Sequence, residues 1–202
     1  MTSAAARLLL ASSSPQRRAI LNQLGLPFRV AEPAYVERPL ALAPRELAEE
    51  HSRGKAGSVV GEDGEVVLGV DTVVVLSGRV LGKPADQAEA CEMLTALQGR
   101  EHVVCSGLTV VTAEGPSTAS AETRVRFRAL GPAEIAAYVA LGEWRGRAGG
   151  YAIQERGALL VESIEGDYLN VVGLPVALLV RMLESTRLGL HFAQIGNSDR
   201  LL

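Results

Sequence analysis

The chain predicts an α/β fold, and three features carry the prediction. Val66 to Leu76 is apolar and rich in β-branched residues, the pattern of a strand buried on both faces. Leu8 to Leu24 joins a short apolar run to a helix through a serine-proline turn. Strand-like and helix-like segments then alternate along the rest of the chain. The 202 residues suffice for one large domain or two small lobes.

In order, Leu8 to Ala11 predicts a buried strand, and Ser12-Ser13-Ser14-Pro15 a turn. Gln16 to Leu24 is a helix closed by Gly25, because glycine accepts the left-handed conformation that ends helices. Phe28 to Val30 predicts a second strand, followed by a loop through Glu37 and Pro39. Pro44 to about Val60 is helical, weakened late by Gly54 and Gly57. Gly61 to Gly64 turns into the long apolar strand, and Gly78-Arg79 turns out of it to Val80-Leu81. Asp86 caps a helix that runs to Leu97 and ends at Gly99. His102 to Thr112 alternates as a strand, and Thr123, Val125 and Phe127 give the next strand a period-two face. Gly131-Pro132 starts a helix with Glu134 in its first turn. A glycine-rich loop, Gly146 to Gly150, leads to Tyr151-Ala152-Ile153-Gln154, then Ala158 to Ile164 as a strand. Pro175 opens a helix to about Glu184. A single domain over 8–184 is expected, with 185–202 an unassigned tail.

The formal net charge of −3 gives no sign of a long polyanion, so nucleic acid is not an expected partner. The cysteines are two, Cys91 and Cys105, with no CxxC spacing, which fits a reducing compartment rather than a disulfide framework. No apolar run is long enough for a signal-peptide core or a membrane span. A soluble cytoplasmic protein without a membrane partner is the expectation.

Asp71 is the one charge within the long apolar strand. Desolvating a carboxylate is costly unless it is paired or metal-bound. It is either a structural aspartate held by amides or an arginine, or an acidic group at a site, as base or metal ligand. The serine turn is the second feature. Ser14 suits the N-cap and Pro15 the first helical position, which puts Arg17 and Arg18 in the first turn. Cations are disfavoured there, where free N–H groups already carry partial positive charge. Hydroxyls of Ser12, Ser13 and Ser14, free amides and two guanidiniums make an anion site, phosphate above all. The plainer alternative is a capped helix with exposed arginines. No GxxxxGK[ST] or GxGxxG is present.

Lys83, in Leu81-Gly82-Lys83-Pro84, suits a phosphate oxygen as a point charge; taken alone it is a solvated turn lysine. Lys55 has the same ambiguity, and Glu37 alone is a surface charge. Arg145 to Gln154 combines two cations, three glycines, an aromatic and an amide, and could close over a base or a phosphate. His51, His102 and His191 lack metal spacing with the cysteines. There is no GxSxG elbow, Trp144 and four tyrosines make no stacking platform, and Cys91 reads as a buried inert thiol.

Together these residues resemble the Maf family of nucleoside triphosphate pyrophosphatases. The resemblance spans Leu8 to Leu183. It rests on Leu9 to Arg18, Gly69 to Val74, Leu81 to Pro84 and Ala148 to Gln154, with Glu165 to Tyr168 and Asn170 to Pro175 completing it. It implies an elongated mixed sheet flanked by helices, with two lobes and a central cleft, related to the inosine triphosphate pyrophosphatases. It implies hydrolysis of a nucleoside triphosphate to the monophosphate and pyrophosphate with a divalent metal, magnesium or manganese, and suggests a homodimer. Carried onto matching positions, Asp71 is the acidic catalytic residue and Glu37, with Asp71, a metal ligand. Ser12, Ser14, Arg17, Lys55 and Lys83 are placed on the triphosphate, and Gln16, Thr72 and Gln154 on substrate choice.

Gln16 departs from the family's Ser-Pro-Arg-Arg, losing a fixed charge, and Arg147 stands where lysine is common. The Asn170 to Pro175 block is similar to members acting on dTTP and UTP rather than 7-methyl-GTP. Members are also linked to septum formation and cell-division arrest. The alternatives are a nucleotide-binding regulator of division without significant turnover, and a phosphotransferase, which would release no pyrophosphate.

Overall fold

The computed structural model describes residues 7–184, 186 and 188. The sheet begins where expected, with β1 (Arg7–Ala11), whose Leu8 to Ala11 are all buried. Pro15–Gln23 forms α1, with Ser14 as N-cap and Pro15 at the first helical position. β2 (Phe28–Ala31) then pairs parallel to β1. α2 (Pro44–Gly57) crosses back, and β3 (Glu65–Leu76) pairs parallel to β1 on its other side. β1 is therefore the strand at which the chain reverses its direction of winding, and such switch points open a crevice at the carboxyl ends of the strands.

The rest of the sheet is antiparallel. β3 turns through Ser77 and Gly78, both at positive φ (49° and 81°), into the short β4 (Arg79–Leu81). That two-residue turn matches the twist of a hairpin, and it lies one residue earlier than expected. α3 (Gln87–Leu97) is capped by Asp86, and β5 (Glu101–Thr112) and β6 (Gly115–Phe127) follow as one long hairpin. α4 (Pro132–Leu141) ends at Gly142, φ 77°. Residues Glu155–Leu160 form a 3-10 segment, so β7 (Val161–Glu165) starts later than the strand expected from Ala158. α5 (Tyr168–Val172) is a short helix before the last one, and α6 is Val176–Leu183. Of the tail 185–202, all but residues 186 and 188 lie outside the described residues.

The strand order is β2-β1-β3-β5-β6-β7, with β4 beside β3. The sheet is mixed and flanked by helices, in agreement with the expected class. The period of two divides β1 and β3 between its faces. Leu8, Leu10, Val66, Leu68 and Val70 pack with Ile20 and Leu21 of α1 and Leu178, Leu179 and Leu183 of α6. Leu9, Ala11 and Val67 face Ala56 of α2. A further cluster joins Val74 and Leu76 to α3, α4 and Phe127. Among the described residues no helix is long and apolar enough to cross a membrane.

Candidate active site

The register of β3 places Asp71 at a gap. Residues Glu65 to Gly69 pair with β1, and Val74 to Leu76 pair with β4. Between them, Val70 to Val73 have no strand partner on that edge among the described residues, while the other edge stays paired to β5 throughout. A strand that is otherwise core thus opens to a cleft of about 750 Å³ at Asp71 and Thr72.

Alternation puts Asp71 on the α2 face and Thr72 on the α1 face. α2 lies close because two glycines leave room for it. A Cβ at Gly69 would stand 2.3 Å from Ser52 O, and one at Gly107, the partner of Asp71 on β5, would stand 2.3 Å from Ala48 O. That approach brings Lys55 to Asp71: Nζ donates to Oδ1 at 2.5 Å, and both side chains are buried. The same ammonium is 2.6 Å from Glu37 Oε1, and Lys83 approaches Glu37 Oε2 at 4.0 Å. Burial alone would push the Glu37 carboxyl up. The Lys55 hydrogen bond and charge, with Lys83 and His51, outweigh it and hold Glu37 below the ordinary carboxylate range.

On the other face, Arg17 is buried in the first turn of α1. Its Nε donates to Gly173 O (2.9 Å), and its two terminal nitrogens to Ser12 Oγ (3.1 Å) and Thr72 Oγ1 (3.3 Å). All three acceptors are neutral, and among the described residues no carboxylate pairs with it. Burial lowers its pKa, opposed by the charges of Asp71 and Glu37. Ser14 caps the helix by accepting from Arg17 N, and its hydroxyl donates to Gln16 Oε1.

Ser12, Ser14, Gln16, Arg17, Glu37, Lys55, Asp71, Thr72 and Lys83 all line the cleft. Gln154 does not: it is exposed and outside the lining, at the start of the 3-10 segment. The glycine-rich loop reaches the cleft through Arg145, Arg147 and Tyr151 instead. Gly149 N donates to Gly82 O at 2.9 Å, which ties that loop to the turn bearing Lys83. Among the described residues the buried Nε of Arg147 has no partner, and burial lowers the pKa of this guanidinium. Sequence reasoning missed Tyr35, Arg38 and His51, which also line the cleft. Arg38 is adjacent to Glu37, but nothing in its spacing marks it; the Tyr35–His51 pairing spans loop and helix and has no motif.

The cleft therefore sets Arg17, Arg38, Lys55, Lys83, Arg145 and Arg147 against Glu32, Glu37 and Asp71. Such a surplus of cationic donors suits a polyanion. Among the described residues no group of three or more His, Cys, Asp or Glu side chains converges as a metal cage. Two carboxylates meeting one ammonium do fit a hard cation that takes its remaining ligands from phosphate oxygens and water, as magnesium does.

A family model described as "Maf-like protein" matches residues 7–186. The chain is 50% identical over 182 residues to a protein of Pelotomaculum thermopropionicum named dTTP/UTP pyrophosphatase, covering 88% of this chain and 95% of that one. It is 49% identical to a protein of the same name from Gloeobacter violaceus, covering 88% and 94%. A third so named, from Deinococcus radiodurans, is 42% identical, covering 89% and 92%. A solved HAM1 protein from Coxiella burnetii is 18% identical with a TM-score of 0.41, covering 60% of this chain and 73% of that one, too distant to bear on function.

Proposed function

The chain belongs to the Maf-like protein family, and from that premise we propose that it hydrolyses nucleoside triphosphates, dTTP and UTP foremost, to the monophosphate and pyrophosphate. The observation that carries the reading is Asp71, held by Lys55 at the gap in the sheet, in a cleft where cations outnumber acids. The names of the relatives at about half identity support the substrate class.

The triphosphate lies among Arg17, Lys83 and Arg147, with Ser12 and Ser14 hydroxyls completing the donors. Arg17 is fixed by three hydrogen bonds before substrate arrives, so it stabilises charge gathering on the pyrophosphate leaving group without reorganising. Lys55 donates to Asp71 Oδ1 and so fixes one of its oxygens. The other, Oδ2, accepts no hydrogen bond among the described residues and is left to take a proton from the attacking water. The α-phosphoryl–oxygen bond to the β-phosphate breaks as the water oxygen bonds to phosphorus. Glu37 and Asp71 would hold a divalent cation, which when bound offsets phosphate charge. Gln16, whose Oε1 accepts from the Ser14 hydroxyl, would meet base or sugar with an amide rather than a charge.

The test is direct release of pyrophosphate from a panel of nucleoside triphosphates with magnesium or manganese. dTTP and UTP should lead 7-methyl-GTP, each giving equal monophosphate. Asp71→Asn should lower kcat by about two orders of magnitude or more, with nucleotide binding retained. Undiminished turnover in that variant would remove Asp71 from the reaction. Nucleotide binding without pyrophosphate from the unaltered protein would leave a regulator in place of an enzyme.

A further inference from the structure

Residues 32–42 run between β2 and α2 with no helix or strand, and they carry Glu37. Among the described residues, their backbone makes no hydrogen bond to other backbone groups. Val36, Leu40 and Leu42 are exposed, so they do not anchor the segment by burial. Two side chains join it to the fold by polar contact. Glu37 reaches Lys55 and Lys83, and the Tyr35 hydroxyl sits 2.9 Å from His51 Nδ1.

The second contact is built into α2. His51 is buried, and the Tyr35 ring leans on it with centroids 5.7 Å apart. The ring fills the space above Gly54, where a Cβ would stand 2.1 Å from its Cε2. His51, Gly54 and Lys55 follow the i, i+3, i+4 spacing of one helix face. Tyr35 and Glu37, two residues apart, thus dock one helical turn apart on that face. The Glu37 side chain is 40% exposed, and an ion pair so placed contributes little towards ordering a loop unaided.

We propose that Tyr35 and His51 are positioning residues, whose hydrogen bond over the bare backbone of Gly54 seats segment 32–42 so that Glu37 meets Lys55. The proposal rests on the reading of Glu37 as a site residue given above. Neither Tyr35 nor His51 exchanges a proton with substrate; they act through the place they give Glu37.

Tyr35→Phe keeps the ring and removes the hydroxyl. Chymotryptic cleavage after Leu40 and Leu42, without nucleotide, should quicken about fivefold, the worth of one hydrogen bond, because cleavage tracks the population of the unseated segment. kcat should fall by a similar factor while KM and melting temperature stay near those of the unaltered protein. Gly54→Ala gives a second route, because alanine ordinarily improves a helix interior. Here its methyl group displaces the ring, so cleavage should again quicken and kcat fall. In Tyr35→Ala the ring is gone, and adding Gly54→Ala should then cost nothing more. Unchanged cleavage in both single variants overturns the proposal. Glu37→Gln separates the two readings. If it lowers turnover, faster cleavage with unaltered kcat in the Tyr35 and Gly54 variants also overturns the proposal. If its turnover is normal, Glu37 is removed from the reaction, and the cleavage measurement alone decides whether Tyr35 seats the segment.

Discussion

Lys55 holds two carboxylates on one ammonium, and the partners differ in what they lose without it. Asp71 is buried; Glu37 is partly exposed. Removing Lys55 leaves a buried carboxylate without its counter-charge, a change that costs about 3 kcal/mol or more in comparable pairs. Lys55→Met should therefore lower the urea midpoint strongly at neutral pH. Asp71→Asn should lower it less, because Lys55 still keeps Glu37, and adding Asp71→Asn to Lys55→Met should restore part of the loss. A Lys55→Met protein as stable as the unaltered one would mean that Asp71 is not held by this lysine. Arg17 differs again. Its spacing in the first turn of α1 marks it as an anion ligand, but nothing in the sequence shows that Nε also ties the helix to Gly173 O. The residues of Ser12 to Arg17, Asp71 and Lys83 are legible because each sits in a short motif. The Tyr35–His51 contact is not, because its two halves belong to a loop and a helix that only the fold brings together.

At the scale of the element, the position of α2 decides whether the site exists. Its register on the sheet is set by backbone contact, through Gly69 against Ser52 and Gly107 against Ala48. Gly107→Ala asks a methyl group to occupy the place of a carbonyl oxygen 2.3 Å away. Overpacking of that kind costs about 1–3 kcal/mol. The helix should ride outward, carrying Lys55 from Asp71, so kcat should drop together with the denaturation midpoint. Loss of stability with full turnover would show that the helix tolerates the shift without moving the lysine. Strand and helix identity along β1 to α3 was legible because apolar period, caps and glycine stops agree there. It failed where those signals are weak. The first half of β6, Gly115 to Glu122, is small and polar and shows no apolar alternation. α5 is five residues long, too short for a period to register. The 3-10 segment at Glu155–Leu160 begins with Glu155 at a φ of 56°, and its apolar end mimics the strand that follows. The gap between β1 and β4 is a product of pairing register, which no single segment encodes.

For the whole molecule, charge and burial are distributed in ways that composition conceals. A chain of net charge −3 presents a cation-rich cleft because the fold gathers arginines and lysines from separate segments. Burial likewise makes one histidine a global acid sensor. His102 on β5 is 2% exposed, edge-on to Phe127, with Nε2 2.8 Å from the Tyr151 hydroxyl and Nδ1 buried with no partner among the described residues. Burial lowers its pKa from 6.5 to about 4. Above the unfolded value both states are neutral and the group is silent. As pH falls below that value, the unfolded chain takes up a proton that the native state refuses, so stability declines until the folded pKa is reached and then levels off. The loss between pH 7.5 and pH 5 should be about 2 kcal/mol from this residue. Carboxylates add slopes of their own, so the measurement is a difference of differences. Denaturant midpoints are taken at both pH values for the unaltered protein and for His102→Gln. The glutamine variant starts from lower stability, since it disturbs the aromatic packing, but it should lose less on acidification by that amount. Equal losses in the two proteins would mean that the native state accepts the proton as readily as the unfolded chain, and that the ring between Phe127 and Tyr151 reaches water.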